Sequence, residues 1–447
     1  MPPPVDHTIN WVEDRVSVVA SVALFITFIV YGASAASLGA AIPSMNKQFH
    51  TSNSAMGLCF TLRGIGYLVG TLTSAWYTES TNISYKLSKE FLVCLATIGT
   101  GLTLAVIQGI QSYAACMVLY FIQGIGFGFI DTLANCLMPE LWKLRVGPWM
   151  QCLHSCFGIG AIIGPVLVGS LKFNQAFIII CIISVVPTAF LLMAQLINNK
   201  VETKNESNNV ELTGIYGNSN NIENSPGVDN ITTMQSSLVE EVKMSDEIIK
   251  KPPDLNTKIL MFFFFFLYVG CECAYGGWIP TYLLQKGTTT SYSAAAYAAA
   301  VYWSLLAAGR ILAIPLALRA TATTMLRTQL MLCIVGVILI LTIAATTYTD
   351  ALVASGIFGF ALSSIFPLGM VIMNDYGYLM DTATTTTFVV GSTFGEALVP
   401  VVVGIAMNEG KASSPNALPY SLVISVAVMI VIYCTVHFLQ RKLCNCV

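Results

Sequence analysis

A chain of 447 residues that is 55% hydrophobic and only 10% charged does not have the composition of a water-soluble domain, in which roughly a quarter of residues are charged. Its mean hydropathy of +0.72 puts it in the membrane class before any motif is read. The net charge of −2, with no basic patch, gives no footing for nucleic acid, and the absence of a GxxxxGK[ST] string or a nucleophile–base arrangement argues against ATP-driven work and against an enzyme.

A bilayer-spanning helix needs about 20 mostly apolar residues. The sequence predicts twelve, over 17–42, 54–77, 91–109, 113–138, 149–171, 174–197, 257–284, 294–318, 325–346, 350–374, 384–407 and 419–440. The segment before them has three prolines and acids at Asp6, Glu13 and Asp14, which is not the basic n-region of a cleavable signal. With the N-terminus inside, Arg15, Lys86, Lys89, Lys143, Arg145, Arg319, Arg327, Arg441 and Lys442 fall on the cytoplasmic ends. Only Lys47, Lys172, Lys286 and Lys411 fall outside. The bias places both termini in the cytoplasm.

Residues 198–256 are rich in Asn, Ser, Glu and Lys and read as a disordered cytoplasmic linker between two six-helix halves, 1–197 and 257–447. Placed inside, the sequons at Asn205 and Asn230 stay unglycosylated. The thirteen cysteines form no framework of paired spacings, and most sit singly in apolar runs, where a thiol acts as a small hydrophobe.

The halves repeat each other. YGASAASLGAAIP at 31–43 matches YVGCECAYGGWIP at 268–280 in the spacing of Tyr, Gly and Ile-Pro. GAIIGPVLVG at 160–169 matches GEALVPVVVG at 395–404. Two six-helix repeats of the same orientation are the organisation of carriers with parallel halves. This alignment sets Glu272 against Ala35 and Glu396 against Ala161, so both acids depart from the repeat.

Ionisable groups at mid-bilayer cost on the order of 2.5–3.5 kcal/mol on insertion scales, and they persist by pairing or by facing water. Arg63, Asp131, His154, Glu272, Arg310 and Glu396 are such groups. In the fourth helix, FIDTLANCLMPE puts Asp131 and Asn135 on one face, with Gln123 two turns earlier. An acid with an amide one turn away suits sugar hydroxyls or an oxygen-liganded ion. The competing reading is hydrogen bonding between helices.

In the fifth helix, MQCLHSCFGIG brings up Gln151, His154 and Ser155, with His154 either a proton carrier or a packing residue. In the seventh, Tyr275 lies one turn past Glu272 and is expected to face the cavity with it. Trp278 and, in the eighth helix, Trp303 are expected to stack on a pyranose ring or to anchor at the interface. The glycines and proline of AYGGWIP are expected to loosen the seventh helix. Glu272 is expected to serve the solute or its ion rather than to neutralise Arg63 or Arg310. Cys271-Glu-Cys273 lacks the companion ligands of a zinc site. Cys444 and Cys446 are placed for palmitoylation or are plain surface thiols.

Together, RGIGYLVGTL, IDTLAN, MQCLHSCFGIGA, FFLYVGCECAYGGWI and the Gly309-Arg310 pair resemble the sodium-dependent glucose transporter subfamily of the major facilitator superfamily. The acid-Thr-x-Ala-Asn pattern at Asp131 to Asn135 is also similar to that of bacterial fucose:proton permeases, whose acid at this position serves transport. Those permeases use a second acid in the first helix, where this chain reads FITFIVYGASAASLGA. The superfamily's loop pattern after the second helix is reduced here to GTLTSAWYTESTNISYK.

The resemblance implies an all-α fold of twelve transmembrane helices in two bundles. It implies a monomeric plasma-membrane carrier of a hexose, working by alternating access, with no cofactor and with sodium as the co-transported ion. The solute-binding candidates are Gln123, Asp131, Asn135, Gln151, His154, Glu272, Tyr275, Trp278, Trp303 and Glu396. Proton coupling, uniport, another solute such as urea or an organic anion, and a receptor or scaffold that has lost transport stay open.

Overall fold

The computed structural model describes residues 14–79, 87–142, 146–191, 193–194, 253–317, 319–376, 378, 382–408 and 415–444. The predicted linker lies outside them as far as residue 252, as do both sequons and Cys446. Its last residues are already helical from Leu255.

The helices are α1 (Arg15–Phe49), α2 (Asn53–Glu79), α3 (Lys89–Ile107), α4 (Tyr113–Trp142), α5 (Val146–Ser170), α6 (Phe173–Ser184), α7 (Leu255–Gln285), α8 (Tyr292–Ala317), α9 (Ala322–Thr342), α10a (Tyr348–Leu362), α10b (Ile365–Asp375), α11 (Thr382–Ala406) and α12 (Ala417–Cys444). The span that begins with α6 continues to Leu191 and the one through α10a–α10b to Met373, which gives, among the described residues, twelve segments long and apolar enough to cross a membrane. Hydroxyl caps fix several starts: Ser88 accepts from Phe91 N, Thr321 from Thr324 N and Thr347 from Asp350 N. α1 stops at His50, whose left-handed backbone (φ 49°) ends the helix. α7 runs unbroken through Gly276, Gly277 and Pro280, so these residues do not loosen it. They allow close approach instead: a Cβ on Gly39 of α1 would lie 2.5 Å from Gly277 Cα.

The repeat holds in three dimensions. A Cβ added to Gly160 on α5 would lie 2.0 Å from the carbonyl oxygen of Ile29, and one on Gly395 of α11 would lie 2.0 Å from that of Phe266. Likewise Gly124 sits on the Arg63 carbonyl and Gly359 on the Tyr302 carbonyl. The Tyr113 hydroxyl donates to Ala55 O, and its equivalent, the Tyr348 hydroxyl, donates to Ala294 O at 2.8 Å. Each half therefore packs first helix on fifth and second on fourth through the same small residues.

Gly160→Ala is expected to lower thermal stability, by about 1–3 kcal/mol for overpacking against backbone. Gly99→Ala, where nothing lies within 4 Å, should be neutral or stabilising. Thermal unfolding of the two variants in one detergent checks this.

The halves meet on the side away from the termini. Gly64 lies against Ala397 and Gly158 against Ala307. Asn53 donates to Met407 O at 3.3 Å, the Ser170 and Tyr297 hydroxyls bond at 2.9 Å, and Lys47 lies over the Tyr292 ring.

Candidate functional site

Six helices bring ionisable side chains to the middle of the bundle. On α2, Arg63 is 3% exposed. Its Nη1 donates to the Ala35 carbonyl of α1 at 2.9 Å, and its Nη2 reaches Glu396 Oε1 on α11 at 3.4 Å, which ties the two halves together. One turn on, the Tyr67 hydroxyl donates to Asp131 Oδ2 of α4 at 2.6 Å, and Asn135 Nδ2 donates to Asp131 Oδ1 at 3.1 Å. Each oxygen of this carboxylate thus accepts from one donor. Tyr31 of α1 lies within electrostatic reach of Asp131, Glu396 and Arg63, with its ring against Phe127 and Phe157. His154 of α5 is exposed, sits edge-on to Phe28, and is within electrostatic reach of Asp131 and Arg310.

The second pair lies inside the C-terminal half. Glu272 Oε1 on α7 bonds Arg310 Nη2 on α8 at 3.1 Å. The tenth span breaks at residues 363–364, and Arg310 Nε takes the carbonyl of Ser363 there at 2.9 Å. Gln329 accepts from Ser364 N at 3.1 Å, so the break is held from two sides. The Tyr302 hydroxyl donates to the Glu272 carbonyl at 3.1 Å, as its repeat equivalent Arg63 does to Ala35.

Three carboxylates against two guanidinium groups leave one negative charge over. Among the described residues no ion pair includes Asp131, so the surplus resides there. The repeat sharpens the asymmetry. Where the N-terminal half has Arg63, Tyr67, Gln123, Asp131 and His154, the C-terminal half has Tyr302, Leu306, Phe358, Phe366 and Val389. At these five positions the polar side chains belong to the N-terminal half, while Glu272, Arg310 and Glu396 come from the C-terminal half.

The predicted residues do not all gather here. Asp131, Asn135, His154, Glu272 and Glu396 belong to the central group. Gln123 is fully buried beside Gly124, and neither amide atom has a partner. Tyr275 does not join Glu272: it is fully buried, its hydroxyl bonds Ser355 at 2.8 Å, and its ring packs on Tyr302 and Phe358. Trp278 is neither stacking platform nor interfacial anchor. It is fully buried at the seam between halves, donating to Pro400 O at 2.7 Å, with its ring beside Phe60. Trp303 is buried over Gly276 with its indole N–H unpartnered. Gln151 lies in α5 with its side chain outside the described residues, as does that of Cys444 in α12.

Two groups were missed, Tyr31 and Tyr67. Tyr67 stands one turn after Arg63 in RGIGYL, and a polar tip one turn from an intramembrane arginine was the available signal. Among the described residues no group of three or more His, Cys, Asp or Glu is placed to hold a metal ion.

The family described as Major Facilitator Superfamily matches residues 24–400. The chain is 26% identical over 369 residues to sodium-dependent glucose transporter 1 of Xenopus laevis, covering 82% of this chain and 72% of that one. It is 25% identical over 406 residues to the Homo sapiens protein of the same name, covering 86% and 72%. Among solved structures, the nucleoside transporter NupG aligns with a TM-score of 0.63 at 13% identity, covering 94% of this chain and 98% of that one. A bacterial homologue of the human lysosomal transporter Spinster, in an inward-facing and occupied conformation, aligns with a TM-score of 0.62 at 12% identity, covering 97% and 98%.

Proposed function

The chain belongs to the major facilitator superfamily, and we propose that it is a plasma-membrane carrier that couples sodium entry to uptake of glucose or a similar neutral hexose. The single observation that carries this reading is Asp131: a carboxylate that is in no ion pair among the described residues, held by Tyr67 and Asn135. A site with one surplus negative charge attracts a cation and disfavours an organic anion, because unlike charges in a low dielectric attract strongly and like charges repel. The names of the relatives support both the sugar and the ion. Asn135 and His154 offer donors and acceptors for hydroxyl groups. Arg63–Glu396 is the tie between halves that rocking must break.

With the termini in the cytoplasm, as the Lys and Arg bias favours, the seam at Gly39 and Gly277 closes the outer side, and the chain rests inward-facing. It works as a monomer. A proton in place of sodium is the second reading, favoured by the nearness of His154 to Asp131.

Counterflow tests the solute without any ion gradient. Proteoliposomes preloaded with unlabelled glucose should take up labelled glucose, and unlabelled hexose outside should compete. Exchange of another neutral polyol but not of glucose would move the solute assignment. No exchange of any small solute would favour a receptor or scaffold.

A further inference from the structure

The first helix of each half carries the same tyrosine, and only one of the two is reached by solvent. Tyr31 of α1 and Tyr268 of α7 hold equivalent places in the repeat. Tyr268 is fully buried, with its ring 6.3 Å from that of Phe366, which stands where the N-terminal half has Asp131. Tyr31 is half-buried. The repeat therefore accepts a sealed tyrosine here, and the opening at Tyr31 is an addition to it. Three rings hold Tyr31: Phe127 of α4 at 4.6 Å, Phe157 of α5 at 4.9 Å and Phe28 of α1 at 5.9 Å. Phe127 lies one turn before Asp131 on the same face of α4. The Arg63 guanidinium is 5.8 Å from that Phe127 ring, and it donates to Ala35 O, one turn after Tyr31 on α1. Tyr31 is thus wedged among the central charges. Those charges already have partners: Asp131 accepts from Tyr67 and Asn135, and Arg63 donates to Ala35 O and Glu396. The Tyr31 hydroxyl makes no hydrogen bond with a described residue, yet it is not among the polar atoms sealed from solvent.

We infer that the Tyr31 hydroxyl binds the solute directly, donating a hydrogen bond to one hydroxyl oxygen of the hexose, and so helps to decide which pattern of sugar hydroxyls is accepted. This rests on the reading of the chain as a hexose carrier. A sugar hydroxyl both donates and accepts. The nearby carboxylates only accept, so a sugar oxygen needs a donor from elsewhere, and a phenol supplies one. The three rings fix the phenol before the solute arrives, so little rotamer freedom is lost on binding. A sugar without the matching hydroxyl leaves the phenol facing a gap. The competing reading makes Tyr31 an aromatic wedge between α4 and α5, in which the hydroxyl is idle.

The test is counterflow of labelled glucose in proteoliposomes holding the full chain, parent beside Tyr31→Phe. Unlabelled glucose and its monodeoxy analogues, one for each hydroxyl, serve as competitors. Phenylalanine keeps all three ring contacts, so the melting midpoint should match the parent. Half-saturation by glucose should rise roughly three- to tenfold, the net worth of one hydrogen bond. One monodeoxy analogue should compete equally well against parent and variant, because it lacks the hydroxyl that Tyr31 meets, while the others weaken as glucose does. An unchanged half-saturation in Tyr31→Phe overturns the inference. An equal loss for glucose and every analogue overturns it too, by making Tyr31 a positioning residue. So does a fall in the melting midpoint of Tyr31→Phe, which would make the hydroxyl structural. A parent that exchanges no glucose removes the hexose reading itself, and the inference with it.

Discussion

Asp131→Asn should abolish concentrative uptake while the protein remains folded and in the membrane. Asparagine keeps the shape and still accepts from the Tyr67 hydroxyl, which now bonds Oδ2 at 2.6 Å. What it removes is the central carboxylate that, among the described residues, no guanidinium pairs with. The central group then has two acids for two cations and no surplus charge to hold a coupling ion, so a gradient has nothing to act on. Counterflow of solute, which needs no gradient, should persist at reduced rate. Asp131 is only half-buried, so its neutralisation costs the fold little and the melting midpoint should hold. Gradient-driven accumulation by Asp131→Asn at the parent level would make Asp131 a structural charge.

Glu272→Gln should act in the opposite way, through folding. The sequence favoured a solute or ion role for Glu272, on the expectation that it shares a face with Tyr275. Tyr275 turns to Ser355 instead, and Glu272 bonds Arg310 at 3.1 Å with only 9% of its side chain exposed. Arg310 in turn carries the Ser363 carbonyl at the break in the tenth span. Neutralising Glu272 leaves a guanidinium stranded in a low-dielectric setting, a loss on the order of 3–5 kcal/mol for a broken buried pair. Yield and melting midpoint should fall sharply. Adding Arg310→Gln should recover part of the loss, and not all of it, because the Ser363 carbonyl then lacks its donor. A Glu272→Gln protein that melts like the parent and binds solute weakly would restore the functional reading.

The scaffold was legible because membrane packing repeats its own chemistry. Gly160 and Gly395 recur because two backbones approach to within a methyl group at the same place in each half, and that demand is visible in one dimension. The acids stood out for the same reason, as breaks in the repeat. What stayed hidden is rotation and pairing. α7 is buried on nearly every side, so it has no polar stripe to tell which way Glu272, Tyr275 and Trp278 each turn. The pair Arg63–Glu396 joins residues 333 positions apart in opposite halves, and no local pattern encodes it. Tyr67 passed as an aromatic of the bundle because its polar tip matters only once Asp131 is placed against it.

The most direct measurement is uptake of labelled glucose into proteoliposomes with sodium high outside and low inside, beside vesicles with equal sodium and vesicles with a proton gradient alone. Sodium-coupled transport through Asp131 predicts transient accumulation above equilibrium only with the sodium gradient, lost in Asp131→Asn. Accumulation driven by the proton gradient alone, or equilibration at the same rate under all three conditions, would contradict it.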